Sequence, residues 1–155
     1  MKRIFKLSVL ALSFMALFVF TACSSKNVEG SLEEIMEKVY KDIPQEERPM
    51  MLGNIEVTNE NIEYYLGTSD IEYEEALASE SQVGSIAHSV VLVRVKNGAN
   101  IEDIKTKIKE NVNPRKWICV GVEEDEVVVK NKGNLIILIM SQNNREQIEK
   151  GFNNL

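Results

Sequence analysis

The sequence predicts an α+β domain, a two-layer sandwich in which a mainly antiparallel sheet of about five strands carries helices packed on one face. The predicted order of elements is helix, short helix, two strands, helix, three strands and helix. Each long helix carries a single apolar stripe, which is typical of a helix that covers a sheet. Residues 23–155 have the length of one ordinary domain with its own hydrophobic core.

The first predicted helix follows Ser31, where apolar residues begin to recur with the i, i+3, i+4, i+7 spacing of one helical face. Ser31 and Glu34 have the spacing of a capping box, and Pro44 ends the pattern. The stripe comprises Leu32, Ile35, Met36, Val39, Tyr40 and Ile43.

Residues 45–57 show no clear period, so we predict an ordered loop. The thioethers of Met50 and Met51 suit copper(I). A methionine pair without further methionine or histidine nearby is more typical of core filling, and we expect that role.

A short helix is predicted between Thr58, a capping residue, and Gly67, which suits the left-handed conformation at a helix end. Residues 71–81 combine helical propensity with an alternating pattern, and the strand-rich sequence that follows favours a strand. The inner face of the short helix comprises Ile62, Tyr65 and Leu66.

Residues 89–96 predict a strand near the sheet centre because they are β-branched and almost continuously apolar. The turn at Asn97-Gly98 leads to a helix that Asn100 caps and Pro114 ends. Its apolar side comprises Ile101, Ile104 and Ile108.

Three further strands are predicted over residues 117–122, 127–130 and 135–140. The last is apolar on both faces, which places it at the sheet centre or beneath helices on both sides. A final helix begins near Asn143. Its apolar side comprises Ile148, Phe152 and Leu155.

The chain begins with the layout of a bacterial secretory signal, with three basic residues, an apolar run over residues 7–20 and small residues before Cys23. The run is short for a membrane span, so we predict a signal peptide over residues 1–22 that is removed. Its positive end would leave the domain on the extracytoplasmic face even without cleavage. The basic residues are Lys2, Arg3 and Lys6.

The small residues before Cys23 resemble a lipobox, in which the cysteine sulfur receives a diacylglyceryl group. Phe20 stands where such boxes usually carry Leu. We expect Cys23 to be the site of lipid attachment, residues 23–30 to form a short tether, and residues 31–155 to form one domain. The expected location is therefore the extracytoplasmic face of the cell membrane.

The mature chain is acidic. The signal contains three of the 18 basic residues and none of the 24 acidic ones, so the remaining chain carries a formal charge of −9. Affinity for nucleic acid depends largely on basic contacts to phosphate, so we expect no nucleic-acid partner. With Cys23 lipidated, Cys119 is the only other cysteine, and no internal disulfide is predicted.

Three stretches resemble a family of small Gram-positive lipoproteins that is known only as a domain of unknown function. They are AHSVVLVRVKNGA at residues 87–99, PRKWICV at residues 114–120 and YYLG at residues 64–67. The resemblance covers most of the mature chain and implies a lipoprotein of the envelope. It implies no activity and no functional residues.

His88 and Cys119 are the one nucleophile and base pair that the sequence offers. A cysteine between Ile118 and Val120 in a strand is more typical of a buried, unreactive side chain. We expect His88 at a strand entry, hydrogen-bonded to backbone. No catalytic residue and no cofactor is predicted.

The acidic run at residues 123–126 lacks the glycine and the alternating spacing of a calcium loop. We interpret it as a solvated hairpin tip, and no metal site is predicted.

A possible binding patch combines the basic residues near the central strand and after the third helix. If these two segments lie side by side, the patch could bind an anionic ligand or the acidic surface of a partner. Its tryptophan is a candidate interface anchor, although a lone tryptophan at a strand start is more often core. The patch comprises Arg94, Lys96, Arg115, Lys116 and Trp117.

Three classes of function remain open. The leading hypothesis is a non-enzymatic, lipid-anchored accessory module that binds another envelope protein, held at the membrane through its diacylglyceryl group. The alternatives are a lipoprotein that binds a small ligand, which would need a pocket, and an enzyme that uses His88 and Cys119.

Overall fold

The computed structural model describes residues 27–155, so the predictions for the signal peptide and Cys23 lie outside the described residues. The strands are β1 Leu52–Glu56, β2 Tyr73–Ser81, β3 His88–Val95, β4 Val128–Lys132 and β5 Leu135–Ser141. They form one antiparallel sheet in the order β1-β2-β3-β5-β4. The helices are α1 Leu32–Tyr40, α2 Ile62–Leu66, α3 Ile101–Asn111 and α4 Arg145–Asn153. The predicted α+β class and antiparallel sheet are confirmed.

The helices pack on both faces of the sheet, whereas the sequence analysis placed them on one. Helices α1 and α4 cover the front face, and α2 and α3 cover the back face. An apolar stripe specifies that a helix covers a sheet but not which face it covers, which is why this part of the prediction is wrong. β5 contributes Leu135, Ile137 and Ile139 to the front and Ile136, Leu138 and Met140 to the back.

The helix caps predicted at Ser31 and Asn100 are confirmed, whereas α2 begins after Asn61 instead of Thr58 and α4 begins after Asn144, both without a side-chain cap. The Ser31 hydroxyl accepts the backbone N–H of Glu34 at 3.3 Å, and the Asn100 side chain accepts the N–H of Asp103 at 3.2 Å. Each bond satisfies a helix N–H that has no partner within the helix. None of the helices formed by residues 27–155 is long and apolar enough to cross a bilayer.

Each helix pair makes a close contact at a glycine. On the front face, a Cβ on Gly151 of α4 would lie 2.1 Å from the carbonyl oxygen of Val39 in α1. On the back face, Gly67 ends α2 with φ 74°, as predicted, and a Cβ there would lie 2.2 Å from the backbone of Asn111 in α3. A side chain at either position would force the helices apart.

β1 lies within the segment that the sequence analysis predicted as a loop. It is an edge strand that pairs only with β2, and Gly53-Asn54 lies inside it. Its apolar pattern is weak because two of its five residues are exposed and none is fully buried. The prediction of a loop over residues 45–57 is therefore wrong for this part.

Residues 117–122 form an irregular loop, not the predicted strand. Cys119 has φ 60°, which breaks an extended backbone. The Val122 N–H donates to the Pro114 carbonyl at 2.8 Å, and the Ile118 N–H donates to the Gly84 carbonyl at 2.8 Å. The first bond folds the segment back on itself, and the second ties it to the loop between β2 and β3. The sheet still has five strands, because β1 takes the place of the predicted strand.

Candidate functional site

The five residues of the predicted binding patch do not form one surface. Lys116 contacts Ser89 near the start of β3, with 3.2 Å between its Nζ and the serine Oγ, whereas Arg94 lies near the end of that strand. Five residues of strand separate Ser89 from Arg94, which is about 17 Å. Alternation also sends their side chains to opposite faces. The two basic segments therefore do not lie side by side, so the arrangement that the patch required is not found. We refer to the two ends of the sheet as the His88 end and the Arg94 end.

Arg94 holds the beginning of the described chain. Its Nε lies 2.7 Å from the Glu75 carboxylate, and its two terminal nitrogens donate to the carbonyls of Val28 at 2.6 Å and Gly30 at 2.7 Å. The guanidinium therefore bridges β2 and the segment before α1. Residues 28–30, which the sequence analysis assigned to a tether, are docked against the domain.

The other two basic residues of the predicted patch are exposed. Lys96 follows the end of β3, and Arg115 pairs with Glu123 at 2.9 Å. Both partners of the Arg115 pair are more than half exposed, and pairs of this kind contribute little stability.

Lys116 is buried in an aromatic cage on the back face. Its side chain is 3% exposed, and its Nζ lies 4.2 Å from the Tyr64 ring centroid, 4.6 Å from that of Tyr65 and 5.3 Å from that of Trp117. The negative faces of aromatic rings attract a cation, most strongly where water is excluded. Trp117 is thus a buried residue of this cage, as the core alternative predicted.

Glu80 supplies the counter-charge to Lys116. Its Oε2 lies 2.9 Å from the Lys116 Nζ, and its side chain is 7% exposed. Its Oε1 accepts the Trp117 Nε1–H at 3.0 Å and the Tyr64 hydroxyl at 3.2 Å, while Ser89 donates to Oε2 at 3.3 Å. The carboxylate is therefore fully hydrogen-bonded, as a buried charge requires. We use the name Lys116 cluster for Lys116, Glu80, Tyr64, Tyr65, Trp117 and Ser89.

The titration of the Lys116 cluster reflects its burial. Burial lowers the pKa of Lys116, and the Glu80 carboxylate opposes this by favouring the ammonium form. Burial, together with the negative charge of Glu80, raises the pKa of Tyr64 to about 12. Tyr64 therefore remains a hydroxyl donor at neutral pH.

His88 forms a second polar cluster on the front face of the same end of the sheet. Its Nε2 lies 2.7 Å from the Tyr40 hydroxyl, and its Nδ1 lies 2.8 Å from the Ser141 hydroxyl. The Ser141 hydroxyl donates to the Asn143 carbonyl, so it accepts from His88 Nδ1–H, and Nε2 accepts from Tyr40. Ser79 also hydrogen-bonds to Tyr40. We use the name His88 cluster for the hydrogen-bonded residues His88, Tyr40, Ser141 and Ser79.

The His88 cluster is neutral at physiological pH. Burial lowers the pKa of His88 to about 4, because no carboxylate accompanies the ring to stabilise its charged form. Burial also raises the pKa of Tyr40. The expectation that His88 bonds to backbone is wrong, since both ring nitrogens bond to side-chain hydroxyls.

His88 and Cys119 do not form a dyad. Both ring nitrogens of the buried histidine are occupied, and Cys119 is exposed in the loop of residues 117–122. The expectation of a buried thiol in a strand is wrong. His88 therefore does not serve as the base for this thiol in the described structure.

The acidic run has a different setting from the one predicted. The acidic run forms a single 3₁₀ turn at Glu124–Glu126, and the hairpin tip lies instead at Gly133, between β4 and β5. Residues 27–155 contain no group of three or more histidine, cysteine, aspartate or glutamate side chains placed to hold a metal ion.

Within residues 27–155, four large apolar side chains are exposed, and all lie at the His88 end. Their backbone or side-chain atoms contact the end of β2 and the residues after it, where Ser81 donates to the Met50 carbonyl at 2.8 Å and Gln82 to that of Met51 at 3.1 Å. Met50 and Met51 are 71% and 63% exposed, so their predicted role in the core is wrong. The apolar tip comprises Met50, Met51, Tyr64 and Ile118.

The polar roles of Glu80, Tyr64, Tyr40 and Ser141 in these buried clusters were not predicted from the sequence. One signal was present, because Glu80 continues the alternation of Ala76 and Ala78 and so falls on an apolar strand face. No comparable signal marks the hydroxyl partners of the histidine, which lie 48 and 53 residues away from it.

No family model, curated protein or solved structure matches the chain. The resemblance to the family of small lipoproteins stays a prediction.

Proposed function

We propose that this protein is a non-enzymatic, lipid-anchored lipoprotein of the cell envelope that binds another envelope protein through its apolar tip. The observation that carries the proposal is that the two ends of the domain differ. The chain that leads back to Cys23 is held at the Arg94 end, and the exposed apolar side chains lie at the opposite end.

The docked start of the chain supports this orientation. Arg94 holds the carbonyls of Val28 and Gly30, so only five peptide units separate Cys23 from the docked segment. Five residues reach at most about 18 Å. A lipid on Cys23 would therefore keep the Arg94 end near the membrane, and the apolar tip would point away from it.

The composition of the apolar tip supports a protein partner. Exposed clusters of large apolar side chains mark interaction sites on soluble domains. Methionine suits such a surface because its unbranched side chain adapts to the shape of a partner. Tyr64 adds a ring that is half exposed and is fixed from below by Lys116 and Glu80.

Metabolic labelling with radioactive palmitate tests the anchor. We expect the wild-type protein to incorporate label and the Cys23→Ser variant to incorporate none. Cys119→Ser is the matched control and should label like the wild type, because this cysteine lies in the folded domain. Label that persists in Cys23→Ser, or is missing from the wild type, would contradict the anchor.

Site-specific photo-crosslinking tests the apolar tip. A photoreactive amino acid replaces Met51 or Ile118, and in two control strains it replaces Glu146 or Lys150 of α4, which are also exposed. We expect one common crosslinked protein from both tip positions and none from α4. Equal products from all four positions, or none from the tip, would count against the proposal.

The two alternatives have different standing. Both ring nitrogens of His88 bond to hydroxyls and Cys119 is exposed in a loop, so no observed contact supports an enzyme that uses this pair. Binding of a small ligand stays a prediction, because no single observation in residues 27–155 selects one.

A further inference from the structure

β1 exposes one side of its backbone at the edge of the sheet. The Val57 N–H donates to the Ala76 carbonyl at 2.9 Å, and the Gln82 N–H donates to the Met51 carbonyl at 3.1 Å. The continuous register between these bonds means that the odd-numbered residues of β1 pair with β2. In an antiparallel ladder the alternate residues direct their N–H and C=O groups to the other side.

The outward groups of β1 therefore belong to Leu52, Asn54 and Glu56. One of them is used, because the Asn61 side chain donates to the Glu56 carbonyl at 3.0 Å. The three N–H groups and the carbonyls of Leu52 and Asn54 remain as an open edge. Such an edge is a template for pairing with another strand.

A groove runs beside this edge, between β1 and α1. It consists of two hollows, of about 350 Å³ towards the Arg94 end and about 260 Å³ towards the His88 end. The same side of α1 borders both, while Glu56 borders the first and Leu52 and Asn54 the second. The bordering residues of α1 are Leu32, Glu33, Met36, Glu37 and Tyr40.

The groove is negatively charged. Glu33 and Glu37 of α1 and Glu56 of β1 are exposed, and none of them forms an ion pair with a residue of the described chain. Arg48 borders the second hollow but directs its nitrogens to the carbonyls of Ile43 and Tyr40 at the end of α1. Arg94 pairs with Glu75, which borders the first hollow. Unpaired carboxylates along a groove favour a cationic occupant.

The opposite edge of the sheet carries lysines. Lys130 and Lys132 lie in β4, and Lys105 and Lys109 of α3 border the hollow beside it. Lysines on an edge strand discourage strand pairing. β1 has no lysine.

We propose that β1 and its acidic groove bind an extended segment of a partner protein that carries lysine or arginine, and that this segment adds to the sheet as a sixth strand. The proposal rests on the proposed function, since it names the chemistry of the protein partner. Main-chain hydrogen bonds to the edge supply affinity, and the carboxylates of α1 and β1 select basic side chains. A second copy of the chain does not fit, because its own β1 and α1 would bring like charges together.

A synthetic probe tests the site on the purified domain. The probe is a fluorescein-labelled peptide of alternating lysine and valine, and its binding is measured by fluorescence anisotropy. We expect saturable binding of this peptide, and none of the matching glutamate–valine peptide or of the lysine peptide with alternate backbone nitrogens methylated. Absence of binding by the lysine peptide, or equal binding of all three peptides, would overturn the proposal.

The Asn54→Pro variant tests the edge itself. This N–H points away from β2, so proline removes a group that faces the added strand and leaves the ladder to β2 intact. We expect affinity for the lysine peptide to fall by about tenfold or more. Asn54→Ala keeps the N–H and should bind within about twofold of the wild type. Equal affinities for the two variants, at matching circular dichroism, would contradict pairing at this edge.

Neutralising the groove tests the charge selection. The double variant Glu33→Gln, Glu37→Gln should weaken binding by about three- to tenfold, in line with two partly exposed ion pairs. The control, Glu146→Gln with Glu110→Gln, changes net charge equally on α4 and α3 and should leave affinity unchanged. An equal loss of affinity in the two double variants would show a general charge effect and would overturn the proposed site. Failure of these peptide experiments with tip crosslinks intact would remove the edge site alone, whereas loss of the crosslinks would remove the proposed function.

Discussion

Two buried polar clusters lie back to back at the His88 end of the sheet. Their buried polar groups obtain partners in different ways. Strand alternation sends neighbouring residues to each of them, so β3 gives His88 to the front cluster and Ser89 to the back one. β2 divides Ser79 and Glu80 in the same way. The back cluster holds a full ion pair, and the front cluster is a neutral chain of hydroxyls and an imidazole.

The difference shows how a strand end can be polar on both faces without exposed charge. Lys116 and Glu80 form an ion pair in which both oxygens of the carboxylate are hydrogen-bonded. His88 has no counter-charge, so it stays neutral and uses one nitrogen as donor and the other as acceptor. We therefore expect the loss of a charged side chain to destabilise the back cluster most, and acid to destabilise the front cluster.

The largest effect is expected from breaking the ion pair. Lys116→Met should lower the free energy of unfolding by about 3–5 kcal/mol, because it leaves the Glu80 carboxylate buried without a counter-charge. Urea denaturation measures this value. Adding Glu80→Gln to the same chain should restore part of the loss, since the two residues act as a unit.

The neighbouring residue provides the control for this experiment. Arg115→Met breaks the exposed pair with Glu123 and should cost no more than about 1 kcal/mol. If Lys116→Met lowers the free energy of unfolding no more than Arg115→Met does, the aromatic cage does not hold a tightly coupled ion pair.

Acid should act on the front cluster. Burial holds the pKa of His88 at about 4, below its ordinary value of 6.5, so the unfolded chain binds the proton first as pH falls. The free energy of unfolding should therefore decrease between pH 6.5 and pH 4 by up to about 3 kcal/mol. Denaturation across this range measures the slope.

His88 is the only histidine in the chain, which makes its contribution separable. In His88→Gln the carboxylates still titrate, but the part of the slope that belongs to the imidazole should disappear. Identical slopes for wild type and variant would contradict a neutral, buried His88.

The smallest effects should come from removing one tyrosine hydroxyl on each face. Tyr40→Phe should cost about 2 kcal/mol, because it leaves the buried Nε2 of His88 without a donor. Tyr64→Phe should cost less than about 1 kcal/mol, because this residue is half exposed and Glu80 keeps its other donors. The reverse order in thermal or urea unfolding would show that the back cluster depends on its hydroxyl more than on its charges.

Much of the fold follows from local sequence patterns. The stripe of α1, the caps at Ser31 and Asn100, the turn of chain at Gly67 and the continuous apolar strand β5 all depend on residues within a few positions of each other. The two elements that were misassigned are those whose conformation depends on distant partners. β1 is held by β2, and residues 117–122 are held by Gly84 and Pro114.

The candidate sites were much less predictable than the fold. The basic patch paired Arg94 with Lys116 because both are cations, yet their acidic partners separate them, since Arg94 pairs with Glu75 and Lys116 with Glu80. The sequence marks a charged residue as available, but it does not mark which opposite charge will meet it.

The sequence by itself determined the α+β class, the antiparallel sheet and the starts of α1 and α3, because periodicity and capping are local. Tertiary structure alone decided that helices cover both faces, that β1 forms an open edge and that two polar clusters share one end of the sheet. Each depends on pairs such as Lys116 and Glu80, which are 36 residues apart. No local pattern encodes such a pairing, because it is fixed only when the whole sheet and its helices pack.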